Sequence, residues 1–267
     1  MTRIWDKFEY KAVVCFTGYK DRYASLLSEF ERVGLTNVHP HWDFPNPYHQ
    51  VLLNVVPMSK FNRNRSCFFI GLNNYRAIAT AYHLGCENCL IMEDDIRFLR
   101  DTNLLSDIID SLPRDFDLAL LDYGKPCSMT ENEWKNIFAK EVCPHWCRFQ
   151  NLRSTGCYAM SRRCMEAYLK TFEAPTQVGN GILRNPDWYF NEMYLGKDKN
   201  LYAAKPAAAL QASFQTMHCK TLEEYYHLHE KIGMPIDRYN LHSLYDGIVD
   251  YKLYNCPDGY PTNIRIL

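Results

Sequence analysis

The stretch CLIMEDDIRF, residues 89–98, decides the fold of this chain, because in it an apolar strand pattern runs directly into three acids. The run CLIM is typical of a buried strand. In open α/β sheets, ligands bind at the carboxyl ends of the strands. Glu93, Asp94 and Asp95 are therefore predicted to lie where a ligand binds.

The spacing of the three acids predicts on which face of the strand each side chain lies. Side chains two residues apart share a face while the backbone stays extended, so Glu93 and Asp95 are expected on one face and Asp94 on the other. Mg²⁺ and Mn²⁺ prefer carboxylate oxygens, and substrate phosphates complete their coordination. The pattern thus indicates a divalent-cation site for a phosphate-bearing ligand. A solvated acidic turn, or acids capping a helix, is the structural alternative.

Segments on both sides of the acids alternate between strand and helix patterns. Asp21 is expected to cap the first helix and Gly34 to end it, and Ser161 is expected to cap a later one. The alternation predicts an α/β fold with a mainly parallel central sheet covered by helices on both faces. The predicted strands cover residues 11–16, 89–92, 117–122, 155–160 and 201–204, and further helices cover 131–140 and 221–231. Residues 39–64 contain four prolines and are predicted as mostly loop, with a short strand over 51–55.

Composition excludes several classes of protein. With 267 residues, 47% of them hydrophobic and 23% charged, the chain is too apolar to be disordered. Thirty basic and 31 acidic residues give a net charge of −1, so no nucleic acid or anionic membrane is expected as the main partner. No repeat or linker divides the sequence, which favours a single domain over residues 1–267.

The expected location is the cytoplasm. The opening MTRIWDKFEYKAVVCF lacks the pattern of a secretory signal, and no apolar run is long enough to span a bilayer. The 11 cysteines are expected to be reduced. A zinc site is the alternative for some of them, formed by Cys86, Cys89, Cys143 and Cys147 with His145.

The segment FFIGLNNYRAIATAYHLGCENCLIMEDDIRF (68–98) resembles the central region of glycosyltransferase family 25, which includes bacterial lipopolysaccharide galactosyltransferases and relatives of the collagen galactosyltransferases. In that family a helix precedes a strand of the type LILEDDV. The resemblance extends over residues 11–216, with matching segments VVCFTGYKDRYASLLSEFERVGL (13–35), STGCYAMSRRCMEAYL (154–169), PDWYFNE (186–192) and KPAAALQASFQ (205–215). Where the family usually has a Ser-His pair before the acids, this chain has Asn73 and Asn74.

The resemblance implies a GT-A type, Rossmann-like fold and a UDP-hexose donor, with galactose as the expected sugar and inversion at the anomeric carbon. The nucleotide-binding part is expected over about residues 11–125, the acceptor side over 126–234 and an irregular C-terminal extension over 235–267. The acceptor is expected to be a glycan or lipid-linked glycan such as lipopolysaccharide, which allows peripheral contact with a membrane. The oligomeric state stays open.

The resemblance and the chemistry of sugar transfer together give expected roles for individual residues. Glu93 and Asp95 are expected to hold Mn²⁺ or Mg²⁺, with His218 as a late metal or diphosphate contact. The nucleotide is expected to contact Thr17, Asp21, Arg22 and Asp94. Asp187 is the candidate base that takes the proton of the acceptor hydroxyl, with Glu192 and Asp122 as rivals. Two other classes stay open, a metal-dependent phosphohydrolase or nucleotidyltransferase and a non-catalytic glycan-binding protein.

Overall fold

The computed structural model describes residues 4–15, 20–42, 65–123, 141–149, 155–173, 190, 198–212, 223, 227, 230 and 236–239. The helices in these ranges are α1 (Lys20–Val33), α2 (Arg65–His83), α3 (Thr102–Asp110) and α4 (Arg162–Glu173), with 3₁₀ turns over Ile4–Lys7 and Ile236–Arg238. The strands are β1 (Tyr10–Cys15), β2 (Val38–Trp42), β3 (Asn88–Glu93), β4 (Ile96–Phe98), β5 (Leu118–Leu120), β6 (Glu141–Cys143), β7 (Trp146–Arg148), β8 (Cys157–Ser161), β9 (Leu201–Ala204) and β10 (Ala209–Gln211).

Within the described ranges, eight strands form one sheet in the order β2-β1-β3-β8-β5-β9-β7-β6. Six of them run in the same direction, and β7 and β8 run in the opposite one. The mainly parallel α/β sheet predicted from the sequence is therefore confirmed, and its order is consistent with a GT-A Rossmann-like fold. β8 lies between β3 and β5 and runs antiparallel to both. Gly156, which precedes β8, is therefore at the same edge of the sheet as the carboxyl ends of β3 and β5.

Helices cover both faces of the sheet. Consecutive residues of β3 from Cys89 to Met92 are fully buried, which requires protein on both sides of the strand. One helix, α2, packs against β1, β2 and β3 and also against α4. The buried apolar side chains form one continuous core around the sheet. This core holds the carboxyl edge of the sheet in place.

The helix-ending signal of Gly34 and the capping signal of Ser161 are confirmed, and the capping prediction for Asp21 is wrong. Gly34 follows α1 with a positive φ of 68°, and the Ser161 hydroxyl oxygen accepts a hydrogen bond from the Cys164 backbone N–H at the start of α4. Helix α1 begins at Lys20, so Asp21 lies inside its first turn and does not occupy the capping position.

The sequence analysis missed five of the described strands, namely β2, β4, β6, β7 and β10. Residues 38–42 form β2, although Pro40 and the prolines that follow predicted a loop. Among the strands that the structure describes, β2 is at the edge of the sheet and pairs with β1 alone. Proline is tolerated on edge strands because one side of such a strand needs no N–H donor. The strand predicted over 51–55 and the helix over 131–140 lie outside the described residues. Glu223, His227 and Glu230 in the predicted helix over 221–231 are helical.

Candidate functional site

The three acids lie at a turn between two strands. Glu93 is the last residue of β3, Asp94 and Asp95 form the turn, and β4 begins at Ile96. The backbone is thus not extended through the acids, and the predicted separation of Asp94 from Glu93 and Asp95 does not hold. Asp94 and Asp95 share one partner, and Glu93 has another.

Long-range backbone hydrogen bonds hold this turn. The Glu93 N–H donates to the Gly156 carbonyl at 2.7 Å, and the Ala212 N–H donates to the Asp95 carbonyl at 2.8 Å. Beyond the turn, β4 pairs with β10, with Ile96 opposite Gln211. The acids are therefore presented by a backbone that two separate segments, one at Gly156 and one at residues 211–212, fix in position.

The partner of Asp94 and Asp95 is Arg22 of α1. Its Nη1 lies 3.3 Å from Asp94 Oδ1 and 3.7 Å from Asp95 Oδ2, and all three side chains are at most 7% exposed. Arg22, which the resemblance gives as a nucleotide contact, lies against two acids in the structure. Because α1 follows β1, the guanidinium lies near the carboxyl edge of the sheet where ligands bind in this class of fold.

A second arginine, Arg97, was missed. It is only 1% exposed, and it donates from Nη1 to its neighbour's carbonyl, that of Ile96, at 2.7 Å and from Nη2 to Ser25 Oγ at 2.6 Å. The pKa of its guanidinium is lowered overall because the side chain is buried, and the nearby Glu29, Asp95 and Asp94 carboxylates offset part of this effect. An arginine between two apolar residues of a strand is ordinarily expected to face solvent, so the sequence carried no signal for its burial.

Glu93 belongs to a neighbouring group of polar side chains. Its Oε2 accepts a hydrogen bond from Gln211 Nε2 at 2.6 Å. Asp122, two residues beyond the end of β5, is 2% exposed, and its backbone N–H donates to the Cys157 carbonyl at 3.0 Å. Asp122 and Gln211 meet at Gly156: a β-carbon on residue 156 would overlap Asp122 Oδ2 and lie 2.8 Å from Gln211 Cγ. The structure thus places Asp122, an alternative candidate for the catalytic base, beside Gln211, which donates a hydrogen bond to Glu93.

The acids have the ligand chemistry that a hard cation prefers, but the described residues do not supply a complete set of ligands. Asp95 Oδ1 is buried and has no hydrogen-bond partner among the described residues, so this oxygen has the capacity to accept a ligand. The donor set is all oxygen, as Mg²⁺ and Mn²⁺ prefer. In the described part of the chain, no three Asp, Glu, His or Cys side chains converge on one point, so any cation here needs ligands from its substrate or from other segments.

Asn73 and Asn74, which replace the family's usual Ser-His pair, are buried in α2 and hydrogen-bonded. Asn74 Oδ1 accepts from the Tyr158 hydroxyl at 2.6 Å, and Asn73 Nδ2 donates to the Cys15 carbonyl at 3.4 Å. Tyr158 also packs edge-on against Phe190, with ring centroids 5.3 Å apart. The two asparagines therefore tie α2 to β1 and β8.

Several predicted site residues cannot be placed. Thr17, Asp187, Glu192 and His218 lie outside the described residues, and Asp21 is described only as part of α1. Phe190, three residues after Asp187, is buried between the rings of Tyr158 and Tyr168.

The four cysteines of the zinc alternative lie in two distant parts of the sheet. Cys89 is on β3, whereas Cys143 and Cys147 are on the β6–β7 hairpin, and β8, β5 and β9 separate β3 from β7. At about 4.8 Å per strand, the two pairs are too far apart to share one zinc ion. All four are reduced thiols, and burial raises the pKa of Cys89 and of Cys147.

None of the described helices is both apolar enough and long enough to cross a bilayer.

No protein-family model matches the chain, and no curated protein sequence matches it either. Solved structures do resemble it. Mannose-1-phosphate geranyltransferase from Thermus thermophilus is 13% identical, with 76% of this chain and 74% of that chain covered and a TM-score of 0.39. A glycosyltransferase involved in the glycosylation of the major capsid of PBCV-1 is 10% identical, with 84% and 99% covered and a TM-score of 0.41.

Mouse xyloside xylosyltransferase 1 in its apo form is 8% identical, with 72% of this chain and 83% of that chain covered and a TM-score of 0.34. Similarities of this size assign neither an activity nor site residues to the chain. The functional assignment rests on the residues at the carboxyl edge of the sheet.

Proposed function

We propose that this protein is an inverting glycosyltransferase that moves a hexose, galactose by its resemblance to family 25, from a UDP-sugar to a hydroxyl of a glycan acceptor such as lipopolysaccharide or another surface polysaccharide. The observation that carries the proposal is the position of Glu93, Asp94, Asp95 and Asp122 together at the carboxyl edge of β3 and β5. Ligands bind at this edge in α/β sheets. A buried carboxylate oxygen without a partner among the described residues, Asp95 Oδ1, lies in this group.

The leaving group sets the first requirement. Breaking the bond between sugar and diphosphate builds negative charge on the UDP oxygens, and the enzyme must offset that charge. Asp95 and Glu93 are proposed to hold Mn²⁺ or Mg²⁺, with His218 as a further contact. A divalent cation supplies Lewis-acid stabilisation of a departing diphosphate. Arg22, at the same edge, is proposed as a diphosphate contact because a guanidinium matches phosphate oxygens in geometry and charge.

The acceptor hydroxyl sets the second requirement. Its proton must be removed as the oxygen attacks, and a carboxylate suits this step. Asp187 is the proposed base. Asp122 stays the rival because it is a buried carboxylate at the same edge as Glu93.

Thermal melting tests the donor. The protein is melted with UDP, UDP-galactose, UDP-glucose and GDP-mannose, each with and without Mn²⁺. A ligand at 100 times its Kd stabilises a protein by about 2.7 kcal/mol, so a melting shift is readily measured. A rise that requires both a UDP compound and Mn²⁺ supports the proposal, and no shift with any donor contradicts it and favours a non-catalytic glycan-binding protein.

Product analysis tests the reaction. The protein is incubated with the donor panel and a set of glycan acceptors, and products are identified by mass spectrometry. An acceptor heavier by one hexose, together with free UDP, supports the proposal. Phosphate release or nucleotide transfer without a sugar acceptor would instead identify a metal-dependent phosphohydrolase or nucleotidyltransferase.

A further inference from the structure

One face of α1 lies along the chain from residue 94 to residue 99. Four polar side chains of this face contact that segment, and their spacing of three, four and three residues is that of neighbours on one face of a helix. They form a polar stripe that consists of Arg22, Ser25, Glu29 and Arg32. Over ten residues a helix rises about 15 Å, about as far as five residues of extended chain reach. The stripe therefore matches the segment in length.

The contacts run in the same order along both segments and begin at the acids. Arg22 Nη1 lies 3.3 Å from Asp94 Oδ1 and 3.7 Å from Asp95 Oδ2. One turn further along α1, Ser25 Oγ accepts a hydrogen bond from Arg97 Nη2 at 2.6 Å. The stripe thus contacts the acid turn at one end and continues onto β4.

Glu29 and Arg32 hold the backbone of β4. The Phe98 N–H donates to Glu29 Oε1 at 2.8 Å, and Arg32 Nη2 donates to the Phe98 and Leu99 carbonyls at 3.2 and 3.0 Å. The two side chains also bind each other, and that of Glu29 is only 1% exposed. Hydrogen bonds depend on direction, whereas apolar contacts let packed surfaces slide, so this pair fixes where β4 lies against α1.

The position of β4 matters because the acid turn joins two sheets. Glu93 ends β3 in the eight-stranded sheet, whereas β4 pairs with β10 in a two-stranded sheet. The β10 side of the small sheet is attached to the large one, since the Ala208 and Ala209 N–H groups donate to the Leu121 carbonyl at 2.8 and 3.1 Å. On the β4 side the polar stripe makes an attachment, and α1 itself follows β1 of the large sheet. The stripe therefore helps to set how far Asp95 lies from Glu93.

We propose that Glu29, together with Arg32, is a positioning residue for the acid turn and acts through β4 without contact to a ligand. Glu29 lies seven residues from Arg22, which is about 10 Å along the helix. The kinetic consequence rests on the proposed function, in which Glu93 and Asp95 act on one donor and need a fixed separation. A misplacement of about 1 Å can lower a rate by about 100-fold.

The first experiment measures hydrogen exchange by mass spectrometry in the Glu29→Met variant without any donor. Methionine keeps the length of the side chain and removes the acceptor of the Phe98 N–H. Exchange over residues 94–99 is expected to accelerate by about tenfold or more, since a hydrogen bond to a charged group is lost. Exchange over residues 89–92, in β3, is expected to stay as in the wild type. Glu29→Gln keeps an acceptor oxygen and is expected to exchange slowly over residues 94–99.

The second experiment measures hexose transfer at a temperature where circular dichroism shows each variant to be folded. Glu29→Met is expected to lower kcat by about 10–100-fold and to leave the KM for the acceptor unchanged. Glu29→Gln is expected to recover most of the lost kcat. A role in stability alone leaves the kcat of the folded molecules unchanged, so the two roles give different results.

Arg32→Gln is a second, milder variant. The Arg32 side chain is 27% exposed, and Glu29 keeps its hydrogen bond to Phe98 in this variant. Both readouts are expected to change in the same direction as in Glu29→Met, by a smaller factor. If Glu29→Met does not fold, Arg32→Gln decides the proposal.

Asp117→Leu is the matched control. Asp117 is also a buried carboxylate, it pairs with Arg163 of α4, and it accepts a hydrogen bond from the Asn200 backbone N–H at 2.8 Å. It precedes β5 and so lies at the edge of the sheet opposite to the acids. This variant is expected to be destabilised, with the kcat of its folded molecules and the exchange over residues 94–99 unchanged.

Each outcome decides the proposal. Unchanged exchange over residues 94–99 in both Glu29→Met and Arg32→Gln refutes the positioning role, as does faster exchange with an unchanged kcat, and the glycosyltransferase assignment is then unaffected. An equal loss of kcat in Asp117→Leu also refutes it, since the loss of any buried ion pair would then have the same effect. If the wild type transfers no hexose, the transferase assignment fails, and the exchange data alone decide whether Glu29 positions the turn.

Discussion

The carboxylate of Asp122 occupies the space beside the α-carbon of Gly156. A β-carbon at residue 156 would overlap Asp122 Oδ2 and would lie 2.8 Å from Gln211 Cγ and 2.9 Å from Ile96 Cδ1. Three elements converge on this point: the segment after β5, the end of β10 and the start of β4. The absence of a side chain at residue 156 therefore allows Asp122 and the partner of Glu93 to lie together at the sheet edge.

Gly156→Ala is expected to abolish turnover and to destabilise the protein by about 1–3 kcal/mol, the usual cost of overpacking a filled core. Kinetics and urea unfolding measure the two effects. The matched control is Gly85→Ala, where φ is +82° and a β-carbon meets no atom within 4 Å. That variant is expected to lose about 1 kcal/mol through backbone strain and to keep its activity. Equal activity in Gly156→Ala and Gly85→Ala would show that the reaction does not require Asp122 and Gln211 to lie this close to residue 156.

Asp95→Asn is expected to remove metal-dependent turnover and leave the fold intact, because the amide keeps the shape of the side chain but lacks the charge that binds a cation. Turnover is measured with and without Mn²⁺, and circular dichroism checks the fold. Asp107→Asn, at an exposed position on α3, is the control and is expected to retain full activity. Undiminished turnover in Asp95→Asn would refute the metal assignment.

Gln211→Met is expected to lower kcat strongly, because it removes the donor to Glu93 and lets that carboxylate turn away. A hydrogen bond to a charged group contributes about 1.5–3 kcal/mol, so a comparable loss in the free energy of unfolding is expected. Gln211→Asn retains an amide but is shorter. If both variants keep the wild-type kcat, Gln211 does not position Glu93 for the reaction.

His41 is expected to make stability depend on pH below neutrality. Its ring accepts or donates a hydrogen bond with the Tyr10 hydroxyl at 2.8 Å, and burial, followed by the charges of Arg76 and His39, lowers its pKa from 6.5 to about 4. Between these values the unfolded chain binds a proton that the folded chain does not. The contribution of His41 is therefore fully present above pH 6.5 and is lost as the pH falls toward 4.

Urea unfolding between pH 7.5 and about 4 measures this effect. The wild type is expected to lose more stability over the interval than His41→Gln does, because glutamine does not titrate. His83→Gln, at an exposed position on α2, is expected to follow the wild type. Parallel pH profiles for the wild type and His41→Gln would contradict the prediction.

Signals that are local in the chain predicted much of the fold. The apolar run before Glu93, the capping hydroxyl of Ser161 and the positive φ of Gly34 depend on neighbouring residues only, and the structure confirms each of them. The same kind of signal predicted a strand over residues 155–160. It carried no information on the direction of that strand, and β8 runs antiparallel between β3 and β5.

The sequence by itself determined that a strand of an α/β sheet ends in three acids, because apolar periodicity and the adjacent carboxylates are properties of one short segment. Only the tertiary structure decided what those acids contact. Glu93 meets Gln211 across 118 residues, and Arg22 reaches Asp94 across 72. Such contacts depend on strand order, on register and on a turn at Asp94 and Asp95, and the packing of distant segments sets all three.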